Sequence, residues 1–309
     1  MIDKIEDEVL QIYQALEQAG FEAYFVGGCV RDLLIGRTVK DWDITTNADP
    51  EQIQSIFPDS FYDNDFGTVG VPYQIDEQKH VVEITTFRTE TTYSNNRHPD
   101  SVSWGKTIEE DLGRRDFTMN AIALKLVTQH SSLDTHLIDP FNGQTDIKNK
   151  LIRAVRNPDE RFKEDALRIM RGIRFASQLD FTIEEKTWEA ILSDSPLIAN
   201  ISYERIRDEL LKILGSENPL KGIELLDQAG ILTIILPELM QGKGLSQVRP
   251  GRHHTSDVYT HNIQAMHHTP NTDPIVKLAA LLHDVGKPYV AGQDEEGHII
   301  FYNHEVKGA

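Results

Sequence analysis

Cysteine is almost absent from this sequence, and a single thiol, Cys29, excludes an internal disulfide framework. Long apolar runs are absent as well, since none approaches the roughly 20 residues that a membrane-spanning helix needs. The N-terminus is acidic, with Asp3, Glu6, Asp7 and Glu8, and is therefore unlike a signal peptide. These absences predict a protein of the reducing cytoplasm.

Basic residues are scarce too. The 309 residues include 31 lysines and arginines against 49 acidic residues, which gives a net charge of −18 and excludes a protein that coats nucleic acid with a basic surface. Nine basic residues nevertheless lie between 148 and 174, where only four acids accompany them. This local strip suits the binding of one RNA end and a triphosphate, although a solvated helix face has a similar composition.

Glycine and aspartate form the most informative pattern. Ala23–Val26 predicts a β-strand, and Gly27 and Gly28 predict a turn that leads into a helix. A second predicted strand carries Asp41 and Asp43 on one face, because side chains alternate along a strand.

Two neighbouring carboxylates repel each other unless a divalent cation lies between them, and such oxygen ligands suit Mg²⁺. The backbone N–H groups of a glycine turn bind phosphate, and the guanidinium of Arg31 adds a planar fork for the same charge. The pattern therefore predicts metal-assisted phosphoryl or nucleotidyl transfer. The alternatives are an ordinary glycine turn and an exposed Asp-x-Asp strand edge.

Four segments in order resemble the polymerase-β-like nucleotidyltransferases, and among them the bacterial class II tRNA nucleotidyltransferases and their poly(A) polymerase relatives. These segments are Gly27–Asp43, Arg114–Ala123, Asp139–Gly143 and Glu164–Arg168. The resemblance covers roughly residues 20–215. It implies an α/β head with a small mixed sheet, followed by an all-α neck and body.

The resemblance also implies the reaction and its site. Two Mg²⁺ ions at Asp41 and Asp43 would support the addition of CCA, or its terminal part, to tRNA 3′ ends from CTP and ATP. Glu83 would be a third carboxylate, buried in the strand predicted at 81–87; the alternative is an edge-strand glutamate that faces water. The other nucleotide-binding residues that the resemblance implies for this part of the chain are Gly28, Arg31, Arg115, Asp116 and Asn120.

Charged residues at a spacing of three follow the last of the four segments. Asp165, Arg168, Arg171 and Arg174 fit within half the circumference of a helix predicted over residues 160–178. An Asp/Arg pair offers the acceptor and donors that match the edges of C and A but not those of G and U. The resemblance gives the same reading role to Asp165 and Arg168, and the two further arginines suit the triphosphate. The alternative is an exposed i,i+3 salt bridge.

Residues 88–113 are polar and lack a clear period. The resemblance identifies them as the mobile loop before the second signature, at a full length that favours addition of the terminal A.

The C-terminal part resembles the start of an HD-type metal phosphohydrolase domain. His261, His283 and Asp284 are its candidate ligands for a divalent transition metal, and His304 is a possible additional ligand. Because the later aspartate of such domains is absent, we expect an incomplete domain that binds metal weakly. Four other histidines are expected at the surface: His253, His254, His267 and His268.

The predicted domains are a nucleotidyltransferase head at 1–147, a helical neck and body at 148–240 that includes the nucleotide-selecting helix, and the incomplete HD-type domain at 241–309. Three alternatives to CCA addition stay open. They are a poly(A) polymerase that uses ATP, an HD-type phosphohydrolase, and an inactive RNA-binding module.

Overall fold

The computed structural model describes residues 2–63, 67–88, 105–129, 132–247, 256–270 and 273–309. The chain divides into two compact units, Met1–Arg161 and Phe162–Ala309. The first unit combines a sheet with helices and the second is almost entirely helical, which confirms the predicted fold class. The finer division at 147/148 and 240/241 stays a prediction.

The first unit is built on a seven-stranded sheet in the order β3-β4-β5-β2-β1-β6-β7. In this sheet only β2 and β5 run parallel to each other. The strands are β1 (Ala23–Val26), β2 (Trp42–Thr46), β3 (Phe61–Asp63), β4 (Thr68–Ile75), β5 (Gln78–Thr86), β6 (Ala123–Gln129) and β7 (Ser132–Ile138). A short strand, β8 (Leu151–Ile152), follows.

Helices surround this sheet in the first unit. They are α1 (Asp7–Gln18), α2 (Gly28–Ile35), α3 (Pro50–Ile56), α4 (Ile108–Gly113), α5 (Gly143–Lys148) and α6 (Pro158–Glu164), whose last residues belong to the second unit. A separate 3-10 turn, Ile2–Lys4, precedes α1.

The segment predicted as a loop over residues 88–113 contains a helix. The side chain of Thr107 accepts a hydrogen bond from the backbone N–H of Glu110 at 3.3 Å and so caps the start of α4. Residues 89–104, which make up most of the predicted mobile loop, lie outside the described residues.

The pleat of β2 and β5 separates a core face from a polar face. Trp42, Ile44, Val82 and Ile84 are all buried on the core face, as the alternation along residues 41–46 predicts.

The side-chain hydroxyl of Tyr13 forms hydrogen bonds to both β1 and β6. The ladder pairs Phe25 with Leu124 and Val26 with Ala123, so that continued pairing would bring Ala23 opposite Leu126. At that position the hydroxyl of Tyr13 donates to the carbonyl of Ala23 at 2.6 Å and accepts from the N–H of Leu126 at 3.0 Å. The side chain of a helix residue therefore replaces a backbone hydrogen bond between the strands.

The second unit consists mainly of helices. They are α7 (Leu167–Leu179), α8 (Glu185–Asp194), α9 (Tyr203–Leu214), α10 (Pro219–Gln228), α11 (Ile231–Ile235), α12 (Pro237–Met240), α13 (Val258–His268), α14 (Pro274–Leu282), α15 (Lys287–Val290) and α16 (His304–Gly308). Three short strands accompany them, namely β9 (Thr182–Ile183), β10 (Gly292–Gln293) and β11 (Ile299–Ile300). Among the described residues, no helix combines the length and apolar character that crossing a membrane requires.

The helix predicted over 160–178 is in fact two helices. The break falls at Asp165 and Ala166, where the Asp165 carboxylate accepts a hydrogen bond from the backbone N–H of Leu167 at 3.1 Å. An aspartate that bonds to the backbone two residues ahead favours a turn over a continuous helix. The apolar face of α7 is nevertheless as predicted, since Ile169 and Ile173 are fully buried.

Candidate active site

Two carboxylates lie side by side on the polar face of the central strands. The parallel register pairs Asp43 of β2 directly with Glu83 of β5, and Asp41 immediately precedes β2. Both paired side chains therefore point from the same face of the sheet. The structure thus brings together the three acids that the sequence singled out.

Glu83 is exposed, so the predicted burial of this side chain is wrong. The alternative is confirmed in that Glu83 faces solvent, but it is wrong about the edge, because β5 lies between β4 and β2. The reason is the pleat: the buried residues of β5, including Val82 and Ile84, occupy the opposite face.

The electrostatic surroundings of Asp43 favour a bound cation. The pKa of Asp43 is raised to about 6, chiefly by burial; Arg115 opposes the shift, and the negative charges of Glu83 and Asp41 add to it. A carboxylate that is desolvated and placed beside other acids is stabilised in its charged form by a divalent ion, for which these oxygens are suitable ligands. The donor set therefore fits Mg²⁺.

The glycine turn places a guanidinium and a carboxylate close to the backbone. Gly27 has a φ of +75°, and a Cβ at this position would lie 3.0 Å from Nη1 of Arg115 and 3.1 Å from Oδ2 of Asp43. Gly28 begins α2, which starts directly after this turn. Only glycine provides both the backbone conformation and the space that the two charged groups require.

A chain of hydrogen bonds connects the residues implied in phosphate and ribose binding. Nη1 of Arg31 donates to Oδ1 of Asn120 at 2.8 Å, and Nδ2 of Asn120 donates to Oδ1 of Asp116 at 3.4 Å. Arg31 also forms an ion pair with Asp32 at 3.0 Å. The segment after Asp116 forms a short 3-10 helix, Thr118–Asn120.

Sequence reasoning missed Asp111, which holds the two arginines of the second signature. Its carboxylate is fully buried, with Oδ1 at 3.0 Å from Nη2 of Arg114 and Oδ2 at 3.2 Å from Nη2 of Arg115. Burial by itself raises the pKa of Asp111, but the two guanidinium groups overcome this and leave the pKa below its usual value. The i,i+3 and i,i+4 spacing was the available signal.

In the second unit, the two residues implied in base reading have other partners. Nη1 of Arg168 lies 2.6 Å from Oε2 of Glu164, and Oδ2 of Asp165 lies 2.7 Å from Nη2 of Arg205. The sequence did not indicate Arg205, because the pairing joins α9 to a position 40 residues earlier.

The arginines expected at the triphosphate surround an aromatic ring. Arg174 lies over Phe175 with 4.2 Å between its guanidinium carbon and the ring centroid, and the corresponding distance for Arg171 is 5.6 Å. Nε of Arg174 also lies 2.7 Å from Oε2 of the buried Glu209. These contacts explain why Phe175 is buried on the charged side of the helix.

A second cluster of candidate ligands lies at α13 and α14. Nε2 of His261 and Nε2 of His283 are 3.2 Å apart, and they lie 3.4 Å and 3.2 Å from Oδ2 of Asp284. The structure therefore brings the three residues together, and their ligand atoms lie within 4.8 Å of one another. Nε2 of His304 is 3.2 Å from the other oxygen, Oδ1 of Asp284.

Lys287 is a buried neighbour of this cluster that sequence reasoning missed. Its Nζ lies 2.6 Å from Oδ2 of Asp284 and donates to Gln247 at 2.7 Å. Although burial raises the pKa of Asp284, hydrogen bonds from His283 and Lys287 hold it far below its usual value. The bond to Asp284 in turn raises the pKa of His283.

The remaining histidines follow the expectation where they are described. His267 and His268 are exposed and stack on each other with 4.9 Å between ring centroids. His253 and His254 lie outside the described residues.

Two protein-family models match parts of this chain. A family model described as the poly A polymerase head domain matches residues 23–153, and one described as a probable RNA and SrmB-binding site of polymerase A matches residues 180–242.

Curated relatives are similar over most of this chain. A CCA-adding enzyme of Lactobacillus helveticus is 49% identical over 216 residues, which cover 69% of this chain and 51% of the relative. The CCA-adding enzyme of Geobacillus thermodenitrificans is 43% identical over 228 residues, which cover 74% of this chain and 54% of the relative. The chain thus spans about half the length of the curated relatives that it matches.

Among solved structures, the CCA-adding enzyme of Bacillus stearothermophilus in complex with CTP is similar with a TM-score of 0.68 and 34% identity. The match covers 92% of this chain and 65% of that one.

Proposed function

Because this chain belongs to the family of class II bacterial tRNA nucleotidyltransferases and poly(A) polymerases, we propose that it adds CCA, or the terminal part of CCA, to tRNA 3′ ends. The substrates are CTP, ATP and the tRNA 3′ end, and no nucleic-acid template is used. The observation that carries the proposal is the pairing of Asp43 with Glu83, beside Asp41 and within reach of the Gly27 turn.

The acids of the first unit hold the proposed cofactor, two Mg²⁺ ions. When bound, Mg²⁺ would supply activation of the primer 3′-OH and charge stabilisation for the departing pyrophosphate. Asp41 and Asp43 are the proposed ligands, and Glu83 adds a third carboxylate on the same face.

The groups around the acids bind the nucleotide in this proposal. Gly28, Arg31 and Arg115 hold the phosphates, because a helix start and planar guanidinium groups both favour that charge. Asp116 accepts a hydrogen bond from a ribose hydroxyl, and Asn120 links it to Arg31.

The second unit supplies nucleotide choice. Asp165 accepts from the exocyclic amino group of C or A, and Arg168 donates to the neighbouring ring nitrogen. The carbonyl oxygens that U and G present in place of the amino group are repelled by a carboxylate. Arg171 and Arg174 are proposed to contact phosphate.

Nucleotide addition to tRNAs with different 3′ ends tests the proposed function. The purified 309-residue chain, with Mg²⁺, is given tRNAs that end in –N, –NC or –NCC, and each nucleotide separately. We expect C to be added to the first two substrates and A to the third. Asp43→Ala should abolish addition, whereas Asp134→Ala, which removes an exposed acid on β7, should not.

Other outcomes discriminate among the alternatives. Repeated addition of A to any RNA end, without use of CTP, would identify a poly(A) polymerase. Equal incorporation by the wild-type protein and by Asp43→Ala would contradict the proposed site.

A second candidate activity is metal-dependent phosphoester hydrolysis, favoured by the convergence of His261, His283 and Asp284. The imidazole and carboxylate donors fit a divalent transition metal. Hydrolysis of a 2′,3′-cyclic phosphate, lost in His283→Ala, would support this activity.

Cys29 is a buried free thiol, which accords with the proposed cytoplasmic location.

A further inference from the structure

The carboxylate of Asp165 is held from two directions. Its Oδ1 accepts from the backbone N–H of Leu167 at 3.1 Å, and its Oδ2 accepts from Nη2 of Arg205 at 2.7 Å. The first contact is local to the start of α7. The second comes from α9, which packs against α7 within the second unit.

These two hydrogen bonds fix the orientation of the Asp165 carboxylate as well as its position. The terminal torsion of an aspartate is broad and allows the plane of the two oxygens to rotate. A bond to each oxygen removes this freedom, and the short contact with a guanidinium is a strong, charge-assisted one. Each oxygen retains a second lone pair with a defined direction.

A base-reading acceptor needs such a fixed direction. An exocyclic amino group is a favourable partner for a carboxylate oxygen and a carbonyl oxygen is an unfavourable one, but a carboxylate that rotates away discriminates poorly. Partial exposure leaves room for a ligand, since the side chains of Arg205 and Asp165 are 29% and 21% accessible.

We propose that Arg205 is a specificity-determining positioning residue for nucleotide choice. It orients the Asp165 carboxylate, so that amino-bearing C and A are accepted while U and G are excluded. The inference rests on the proposed function and extends it to a residue outside the Glu164–Arg168 segment.

The next turn of α9 shows the same arrangement with the opposite charge. Glu209 lies four residues after Arg205 and pairs with Arg174 at 2.7 Å. One face of α9 therefore holds an acid near the start of α7 and an arginine near its end. A purely structural contribution of Arg205, as a link between the two helices, is the alternative that the experiment must exclude.

Arg207 provides a matched control on the same helix. It is exposed and pairs with its neighbour Asp208 at 2.7 Å. Arg207→Ala removes the same side chain two residues away and leaves the contact with Asp165 in place.

The experiment measures kcat and KM for CTP, ATP, UTP and GTP on tRNA with the full chain carrying Arg205→Ala, Arg205→Lys or Arg207→Ala. We expect the preference for CTP over UTP, and for ATP over GTP, to fall about tenfold or more in Arg205→Ala, in keeping with loss of a hydrogen bond to a charged group. Arg205→Lys should recover part of the preference, and Arg207→Ala should match the wild type.

A double-mutant cycle with Asp165→Asn tests the route of the effect. If Arg205 acts through Asp165, then Asp165→Asn combined with Arg205→Ala will be no less selective than Asp165→Asn alone. An equal decrease of kcat/KM for all four nucleotides, at unchanged preference, would show a structural role and overturn the inference.

Failure of the inference is distinct from failure of the proposed function. A wild-type protein that selects CTP and ATP, together with an Arg205→Ala protein that selects equally well, overturns the inference alone. A wild-type protein that adds no nucleotide overturns both. Should Arg205→Ala fail to fold, the preference of Arg205→Lys, which is expected to lie between those of the wild type and Asp165→Asn, decides.

Discussion

Asp43 and Glu83 occupy matching positions in the parallel pairing of β2 with β5, so that two carboxylates distant in sequence lie next to each other. In-register residues on neighbouring strands are separated by about 4.8 Å along the hydrogen-bonding direction. At that separation two negative charges destabilise the fold unless a cation lies close to both. We therefore expect the stability of the first unit to depend on divalent ions.

Asp43→Asn should therefore raise the Tm of the metal-free protein. The pKa of Asp43 is about 6 in the folded protein, above the value of about 4 in the unfolded chain. The folded protein therefore loses stability as the pH rises from about 4 to 6, and the charged carboxylate is unfavourable at pH 7.5. We expect a gain of about 1–2 kcal/mol in EDTA, seen as a Tm increase of a few degrees. Added Mg²⁺ should raise the Tm of the wild type more than that of the variant. A larger Mg²⁺ effect on Asp43→Asn would contradict the assignment.

Gly27→Ala should reduce nucleotide addition strongly, because the new Cβ would lie 3.0 Å from Arg115 Nη1 and 3.1 Å from Asp43 Oδ2. Gly36→Ala is the matched control, since Gly36 has a φ of +77° against +75° for Gly27 and nothing lies within 4 Å of its Cβ position. Gly36→Ala should lose about 1 kcal/mol of stability through backbone strain, and Gly27→Ala should lose more, because Gly27 has a ψ of −135° where Gly36 has a ψ of 19°. Only Gly27→Ala should lose activity, by roughly tenfold or more if the cost is at least 1.4 kcal/mol. Equal activities would show that the close approach is unimportant.

Asp111→Asn should destabilise the first unit by about 3 kcal/mol at pH 7, because two arginines lose a buried partner. The folded pKa of Asp111 is lowered, so its stabilising contribution is present above the unfolded value of about 4 and disappears as the pH falls through the folded pKa. Chemical unfolding at several pH values should show the difference between wild type and variant decreasing below pH 4. The neighbouring, exposed Glu109→Gln serves as the control. A difference that is independent of pH down to strongly acidic conditions would argue against the ion pairs.

Arg168→Ala should weaken nucleotide choice. The variant loses donors at the proposed base edge, at a cost of about 1.5–3 kcal/mol, which corresponds to roughly tenfold or more in discrimination. Misincorporation of UTP and GTP on tRNA is the measurement, again with Arg207→Ala as the control. Strict exclusion of both nucleotides by the variant would remove Arg168 from the reading pair.

Metal titration should identify the histidine cluster of the second unit. We expect Zn²⁺ or Mn²⁺ to bind weakly, because Asp284 is already engaged by Lys287 at 2.6 Å and the cation would have to compete with that ammonium group. His283→Ala should abolish the binding, whereas combined His267→Ala and His268→Ala, which change exposed residues of α13, should leave it intact. Calorimetric titration of each metal-free variant with Zn²⁺ or Mn²⁺ measures whether the binding is lost or retained.

Local patterns in the sequence predicted local structure well. The strand β1 has the predicted bounds, and the alternation around Trp42 correctly separated the core face from the acids. The apolar face of α7 also followed from its spacing. The break at Asp165 did not, because it depends on a side-chain hydrogen bond to the backbone of Leu167 that a helical period does not reveal.

Contacts between distant segments were harder to predict. The pairing of Asp43 with Glu83 requires the order of strands in the sheet, and the bond from Arg205 to Asp165 requires the packing of α9 on α7. Neither follows from periodicity, since each depends on which elements become neighbours. The resemblance to a known family supplied the role of Glu83, although its exposure was only visible in the fold.

The hydroxyl of Tyr13 joins two leaves of the seven-stranded sheet, the strands β3-β4-β5-β2-β1 and the β6–β7 hairpin. One leaf carries Asp43 and Glu83; the other is the β6–β7 hairpin, whose first strand follows Asp116 and Asn120. Between β1 and β6 the ladder has only two residue pairs, and the phenol spans the next position. The phenol therefore holds the two leaves together at the Ala23 end of β1, whereas the two backbone pairs hold them together at the Val26 end, beside the Gly27 turn.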